Sequence, residues 1–194
     1  MNYTETPTTA EAVQDALEMI LDEHQLMYNQ LSFDNVPEVI NAIKNAKSIF
    51  LLGAGRTGFM IKAAAMRLMH LGFQVHVVGE TTTPAIGEGD LLIAGSGSGT
   101  TGNIVKAAQT AQKSGAAIVC FTTNTESPLA QLATHTVQIP AAGKQELKEA
   151  VSHQYAGSLF EQSFLLIFDA IIQHLWQDAG VSREELWKRH ANME

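Results

Sequence analysis

Two runs of glycine and hydroxyl residues are the parts of this chain best suited to bind an anion. The first, Gly95-Ser96-Gly97-Ser98-Gly99-Thr100-Thr101-Gly102, follows the apolar run Leu91-Leu92-Ile93-Ala94 and leads into the helical pattern Asn103-Ile104-Val105-Lys106-Ala107-Ala108. Glycines let backbone N–H groups approach an anion, hydroxyls add donors, and the helix N-terminus supplies partial positive charge. The run lacks the Gly-Lys-Ser/Thr of a nucleoside-triphosphate loop. It therefore points to a small phosphorylated metabolite held by neutral donors, with Ser96, Gly97, Ser98 and Thr101 as candidate ligands.

The second run, Gly53-Ala54-Gly55-Arg56-Thr57-Gly58, has the spacing of a dinucleotide fingerprint. Arg56, however, stands where a pyrophosphate needs open approach, and the acidic residue expected about 20 residues on is Glu80, slightly late. One sugar phosphate between two facing loops accounts for both runs better than a nicotinamide cofactor does. Gly55 and Thr57 would then face the phosphate, and Arg56 the phosphate or a sugar hydroxyl. A third loop, Gly79-Glu80-Thr81-Thr82-Thr83-Pro84, offers Thr83 as a pocket-lining hydroxyl. Ordinary turn and helix-cap chemistry uses the same residue types.

Glu161 opens a long apolar helical stretch, Ser158 to Trp176. A carboxylate there suits proton abstraction. The spacing Ser158-x-x-Glu161 is also that of a capping box, in which the carboxylate reaches back to the N-cap N–H. His70 ends a helical pattern beginning near Thr57. At about 1.5 Å per residue it lies roughly 20 Å from the phosphate loop, so it would serve a neighbouring subunit's site. A histidine at a helix C-terminus also complements the helix dipole. His153 and His190 remain open as pocket residues, while His76, His135 and His174 fall in strand and helix patterns. No His, Asp or Glu pair has convincing metal-ligand spacing, and the single cysteine, Cys120, has no partner.

Elements must position these loops. Strand-like runs at Ser48–Leu52, Gln74–Val78, Asp90–Gly95, Ala116–Thr122 and Thr134–Ile139 are mostly continuous apolar stretches, as buried parallel strands should be. They alternate with helical patterns that stop at Gly72 and Gly115. Ser127-Pro128 starts a short helix, and Ser182 caps a last one ending near His190. Thr8-Thr9-Ala10-Glu11 begins an amphipathic helix running to about Leu31. The pattern predicts an α/β fold, a three-layer αβα sandwich on a five-stranded parallel sheet of flavodoxin-like type, with added N- and C-terminal helices. It reads as one domain over 1–194: N-terminal helices in 1–47, a βα core in 48–140 and C-terminal helices in 158–190. Residues 141–146 read as a loop. The apolar residues of the long helix cover more than one face, which predicts a subunit interface.

With 194 residues and 45% apolar residues, the chain can build a full core. Its formal net charge is −8 and it has no basic stripe, which argues against nucleic acid and leaves anion binding to local donors. A lone buried thiol fits a reducing compartment. No run approaches the roughly 20 apolar residues of a membrane span, and the N-terminus lacks a signal-peptide pattern. A cytoplasmic location is expected.

The two loops together resemble the sugar isomerase (SIS) domain family. Four further stretches narrow the resemblance to its hexuloisomerase members: 65–72 (AMRLMHLG), 78–86 (VGETTTPAI), 157–162 (GSLFEQ) and 189–192 (RHAN). The run Ser152-His153-Gln154-Tyr155-Ala156 departs from the Gln-Pro-Met type expected there. The resemblance implies a cofactor-free isomerisation of D-arabino-hex-3-ulose 6-phosphate and D-fructose 6-phosphate through a cis-enediol. It implies Glu161 as the base, His70 of a neighbouring subunit as the acid, and a homotetramer with shared sites. It also implies a pathway link to 3-hexulose-6-phosphate synthase in formaldehyde fixation. Other readings are an arabinose 5-phosphate type isomerase, a non-enzymatic phosphosugar sensor and a nicotinamide-dependent oxidoreductase.

Overall fold

The computed structural model describes residues 8–141 and 152–193. Residues 142–146 of the expected loop lie outside them. The elements run α1 (Thr9–Gln30), α2 (Val36–Asn45), β1 (Ile49–Gly53), α3 (Gly55–Leu71), β2 (Val75–Val77), β3 (Leu91–Gly95), α4 (Gly102–Lys113), β4 (Ala117–Thr122), α5 (Pro128–Leu132), β5 (His135–Gln138), α6 (Ser158–Ala179) and α7 (Arg183–Trp187). The strands form one parallel sheet in the order β2-β1-β3-β4-β5. All five strand positions and the αβα layering expected from the apolar runs are present.

Strand alternation divides the core in two. Ile49, Leu51, Leu91, Ile93, Val119 and Phe121 face α2, α3 and α6, while Phe50, Leu92, Ala94, Ile118 and Cys120 face α4 and α5. On the first face Phe121 meets Phe164 edge-on at 5.0 Å between ring centroids, and Phe168 lies tilted against both. Cys120 is a core residue whose thiol is pushed up to about 12 by burial, so it stays protonated and inert.

Stop signals behave as their chemistry requires. Gly72 takes φ 98° at the end of α3 and donates to the Met69 carbonyl. The capping box at Thr8 and Glu11 is formed. The turn from β2 to β3 contains no helix: residues 78–90 cross with Gly79 and Gly89 at φ 98° and 87° and Pro84 between them. Glycine at positive φ and proline both oppose helix continuation.

Two expectations need correcting. The spacing Ser158-x-x-Glu161 does not form a capping box: Gly157 is the N-cap and no side chain caps α6. The apolar helix α6 is also covered within its own chain, by the sheet, α3 and α1. Leu166 is its one large apolar side chain left exposed. Its composition therefore does not itself demand a subunit interface. The unpartnered apolar stripe is on α1 instead, where Val13, Leu17 and Leu21 recur every fourth residue and are each more than half exposed.

Candidate active site

The strand order reverses between β1 and β3, and in open parallel sheets ligands sit beyond the carboxyl ends of the strands at such a switch point. Both glycine-rich loops leave the sheet there, after Gly53 and after Gly95, two residues paired across the strands. The side chains of α3 press on both strand ends: a Cβ on Gly53 would lie 2.8 Å from Ile61 Cγ1 and one on Gly95 3.2 Å from Thr57 Cγ2.

The loop after β3 curls on its own hydroxyls. Ser96 is buried, and its Oγ accepts from the Gly99 N–H at 3.2 Å and lies 3.1 Å from Thr101 Oγ1. Ser98, at the exposed tip, accepts from Thr100 N–H and Oγ1. The Gly97 carbonyl accepts from Thr122 and Thr123 hydroxyls, both at 2.9 Å, and from Thr123 N–H. Gly99 has φ 64°, and a Cβ there would come within 2.0 Å of Ser127 Oγ. The loop conformation thus needs glycine at 99 for both dihedral and space.

Glu161 is 3% exposed at the head of α6. The Arg56 guanidinium donates through Nη1 to Glu161 Oε2 at 3.1 Å and to Ser158 Oγ at 3.0 Å. Thr57, also buried, donates a long 3.4 Å bond to Glu161 Oε1. Arg56 and Thr57, expected to face a phosphate, are thus turned to the carboxylate. The structure brings Gly55, Arg56, Thr57 and Glu161 together, with the Ser96–Thr101 loop on the neighbouring strand. A Cβ on Gly97 would rest 3.5 Å from Phe160, the residue preceding Glu161.

The helices that carry these residues share a feature. α1, α5 and α7 are closed by the side chains of Thr8, Ser127 and Ser182. α3, α4 and α6 have no side-chain cap, their cap positions being Ala54, Thr101 and Gly157. (α2 also lacks one, but it has a proline in its first turn.) Orphan N–H groups and helix dipoles therefore point toward the switch point from three directions.

Other expected site residues lie elsewhere. Thr83 donates to the Val77 carbonyl at 2.6 Å, so its hydroxyl holds its own turn. It borders an apolar cleft on the opposite face of the sheet with Phe50, Leu92 and Asn103. His70 is 6% exposed at the far end of α3 and is not brought to Glu161 within one chain. Its ring stacks on His190, and burial, followed by the nearby His190 and Arg67, holds its imidazole below the usual range. His153 gives its backbone N–H to Glu23 and is itself exposed.

Two features escaped the sequence reading. The hydroxyls of Thr122 and Thr123 support the Gly97 carbonyl, and a strand ending in paired threonines beside the loop was a usable signal. Glu23, on α1, is 8% exposed and accepts from Ser152 Oγ, His153 N–H and Gln154 Nε2. Burial opposes its charge, but those hydrogen bonds outweigh burial and hold the carboxyl below the ordinary carboxylate range. Among the described residues no cluster of three metal-ligating side chains occurs, and no helix is long and apolar enough to cross a membrane.

Fold and site together define a class: an open parallel α/β protein with a glycine- and hydroxyl-lined loop and a buried carboxylate at one switch point. The chain belongs to the SIS domain family, whose model matches residues 42–164. It is 49% identical over 178 residues to the 3-hexulose-6-phosphate isomerase of Mycobacterium gastri, covering 92% of this chain and 89% of that protein. It is 38% identical over 176 residues to the 3-hexulose-6-phosphate isomerase of Bacillus subtilis, covering 90% and 95%. Among solved structures, a hypothetical protein of Methanococcus jannaschii, for which a molecular function of 3-hexulose-6-phosphate isomerase is inferred, superposes with a TM-score of 0.80. The identity there is 29%, covering 93% of this chain and 99% of that one.

Proposed function

We infer that this chain is an isomerase interconverting D-arabino-hex-3-ulose 6-phosphate and D-fructose 6-phosphate, the reaction of the ribulose monophosphate pathway of formaldehyde fixation. Near-full-length similarity to two 3-hexulose-6-phosphate isomerases supports the reaction. The observation that carries the mechanism is the buried Glu161 carboxylate beside the glycine- and hydroxyl-rich loop.

Ser96, Gly97, Ser98 and Thr101 hold the 6-phosphate with the N–H groups at the head of α4. Glu161 removes the proton from C2 of the 3-ketose, and the electron pair forms the C2–C3 double bond of a cis-enediol. The proton returns to C3 as the O2 hydroxyl becomes the C2 carbonyl, and the O2 proton passes to O3. One carboxylate serves both carbon centres because they are adjacent on one face. Arg56 and Thr57 orient that carboxylate and, with Gly55, border the sugar. Thr83 acts indirectly, by fixing the turn after β2. His70 of a neighbouring subunit moves the hydroxyl proton and polarises the carbonyl.

We further propose a single SIS domain that assembles as a cytoplasmic homotetramer with sites shared between subunits, fed by 3-hexulose-6-phosphate synthase. The length of α3 between the loop and His70 supports sharing, and the apolar stripe on α1 supports assembly.

The test couples the purified chain to a hexulose-phosphate synthase with ribulose 5-phosphate and formaldehyde and follows fructose 6-phosphate. Turnover by the wild type, lost in Glu161→Gln with phosphate-ligand binding retained, is the expected result. Absence of product from the wild type overturns the reaction, and full activity of the variant removes Glu161 as base.

A further inference from the structure

His70 reaches its environment through an unusual neighbour. Its ring stacks on His190 at 4.1 Å between centroids and 23° between planes. His190 also packs against Trp187, at 4.9 Å and 31°. Arg189, adjacent in the chain, donates through Nη1 to the His70 backbone carbonyl at 2.9 Å, fastening the tail to the end of α3. A Cβ on Gly72 would lie 2.8 Å from the same guanidinium, so the helix end is shaped to admit it. His70 is almost wholly buried, whereas His190 and Trp187 are exposed. The tail after α7 is therefore the cover over His70.

The buried ring has chemistry left over. His70 Nδ1 has no hydrogen-bond partner among the described residues, and an unsatisfied buried polar atom is costly in a structure with no use for it. His70 and His190 also border one cavity of about 400 Å³, together with Arg67, Asp169, Gln173 and Trp176. Helix capping by His70 would need neither the stacked partner nor the aromatic contact.

We propose that His190 is a positioning residue for His70: stacked on His70 and packed against Trp187, it fixes the plane of the His70 ring. Burial first, then the nearby His190 and Arg67, hold the His70 imidazole below its usual range. Two imidazoles in stacked contact resist holding a proton at once, because like charges at that distance repel. The charged groups facing the pair are Arg67 from α3, Arg189 from the tail and Asp169 from α6 across the cavity. The two arginines favour a neutral His70; Asp169 favours a charged one. The proposal rests on the reading of His70 as the proton-handling group of a neighbouring site.

The test uses the full chain with His190→Phe, which keeps a stacked ring without charge, and His190→Ala, which removes both. His70→Asn is the control. His70 is followed by imidazole NMR through a pH titration, and kcat and KM are measured in the coupled assay across pH. His190→Phe should keep kcat within about threefold while moving the His70 midpoint, and the matching limb of the kcat profile, to higher pH. His190→Ala should lower kcat about 10- to 100-fold, the scale of a misplaced catalytic group, with KM changed less than twofold. An unmoved His70 titration in both variants overturns the proposal. So does loss of turnover in His190→Phe as complete as in His70→Asn, since His190 would then carry the proton itself. Wild-type turnover by His70→Asn overturns the catalytic reading of His70, and the NMR titration still decides separately whether His190 controls its ring.

Discussion

Glu23 and Glu161 are both carboxylates on helices, each less than a tenth exposed, and their surroundings differ. Glu23 is ringed by neutral donors from one short segment, Ser152 to Gln154. Those donors belong to the chain, so the carboxylate is a fastener between α1 and the segment leading into α6. Glu161 faces a guanidinium that is itself half exposed, 48% by side chain, at the edge where the sheet reverses. A partner open to solvent can be shared with an incoming ligand. Burial alone thus does not mark a working carboxylate. What distinguishes the two is the kind of group that meets the charge: neutral donors from one adjoining segment at Glu23, a half-exposed guanidinium at Glu161.

Matched amide substitutions separate the two roles. Glu161→Gln should lower kcat about 10²- to 10⁴-fold, the usual scale for a general base, with a small change in Tm. Equal losses of Tm in both variants would erase the distinction. Glu23→Gln should cost about 1–3 kcal/mol of unfolding free energy, the scale for disrupting buried hydrogen bonds to a charged group, read by urea denaturation. Its kcat should fall much less than that of Glu161→Gln.

A smaller effect appears on acidification. The folded pKa of Glu23 is lowered, so its stabilisation is complete above the unfolded carboxyl value of about 4.3 and is lost as pH falls through the folded value. Tm of the wild type should therefore drop below about pH 4.3 more steeply than Tm of Glu23→Gln. Parallel curves would remove Glu23 as an acid-sensitive fastener.

Much of this arrangement was legible from residue types. Continuous runs such as Leu91-Leu92-Ile93-Ala94 and Ala117-Ile118-Val119-Cys120, short and bounded by turn residues, fit strands buried on both faces, and they are such strands. The glycines and hydroxyls between strand and helix located the loops. Side-chain direction was not legible. Arg56 and Thr57 read as substrate-facing residues of their loop, and nothing local shows their contacts to Glu161, more than a hundred residues away. The same distance hid Glu23, since nothing local to α1 announces the segment it grips. The capping box at Ser158 failed for a different reason: the helix begins one residue earlier than that motif requires, because Gly157 takes the cap position. For α6, composition reported burial correctly but not the identity of the cover, which is α3 and α1 of the same chain.

The missing side-chain caps on α3, α4 and α6 would let an anion bound there act as a structural component of the fold. Each absent cap forgoes on the order of 1 kcal/mol, and an anion seated on those N–H groups restores part of it. Occupancy at a hundred times the dissociation constant adds about 2.7 kcal/mol to the folded state. A phosphorylated sugar should therefore raise Tm well beyond inorganic phosphate at equal concentration, and the persistence of this protein in a protease-rich setting would follow how much of its own substrate is at hand.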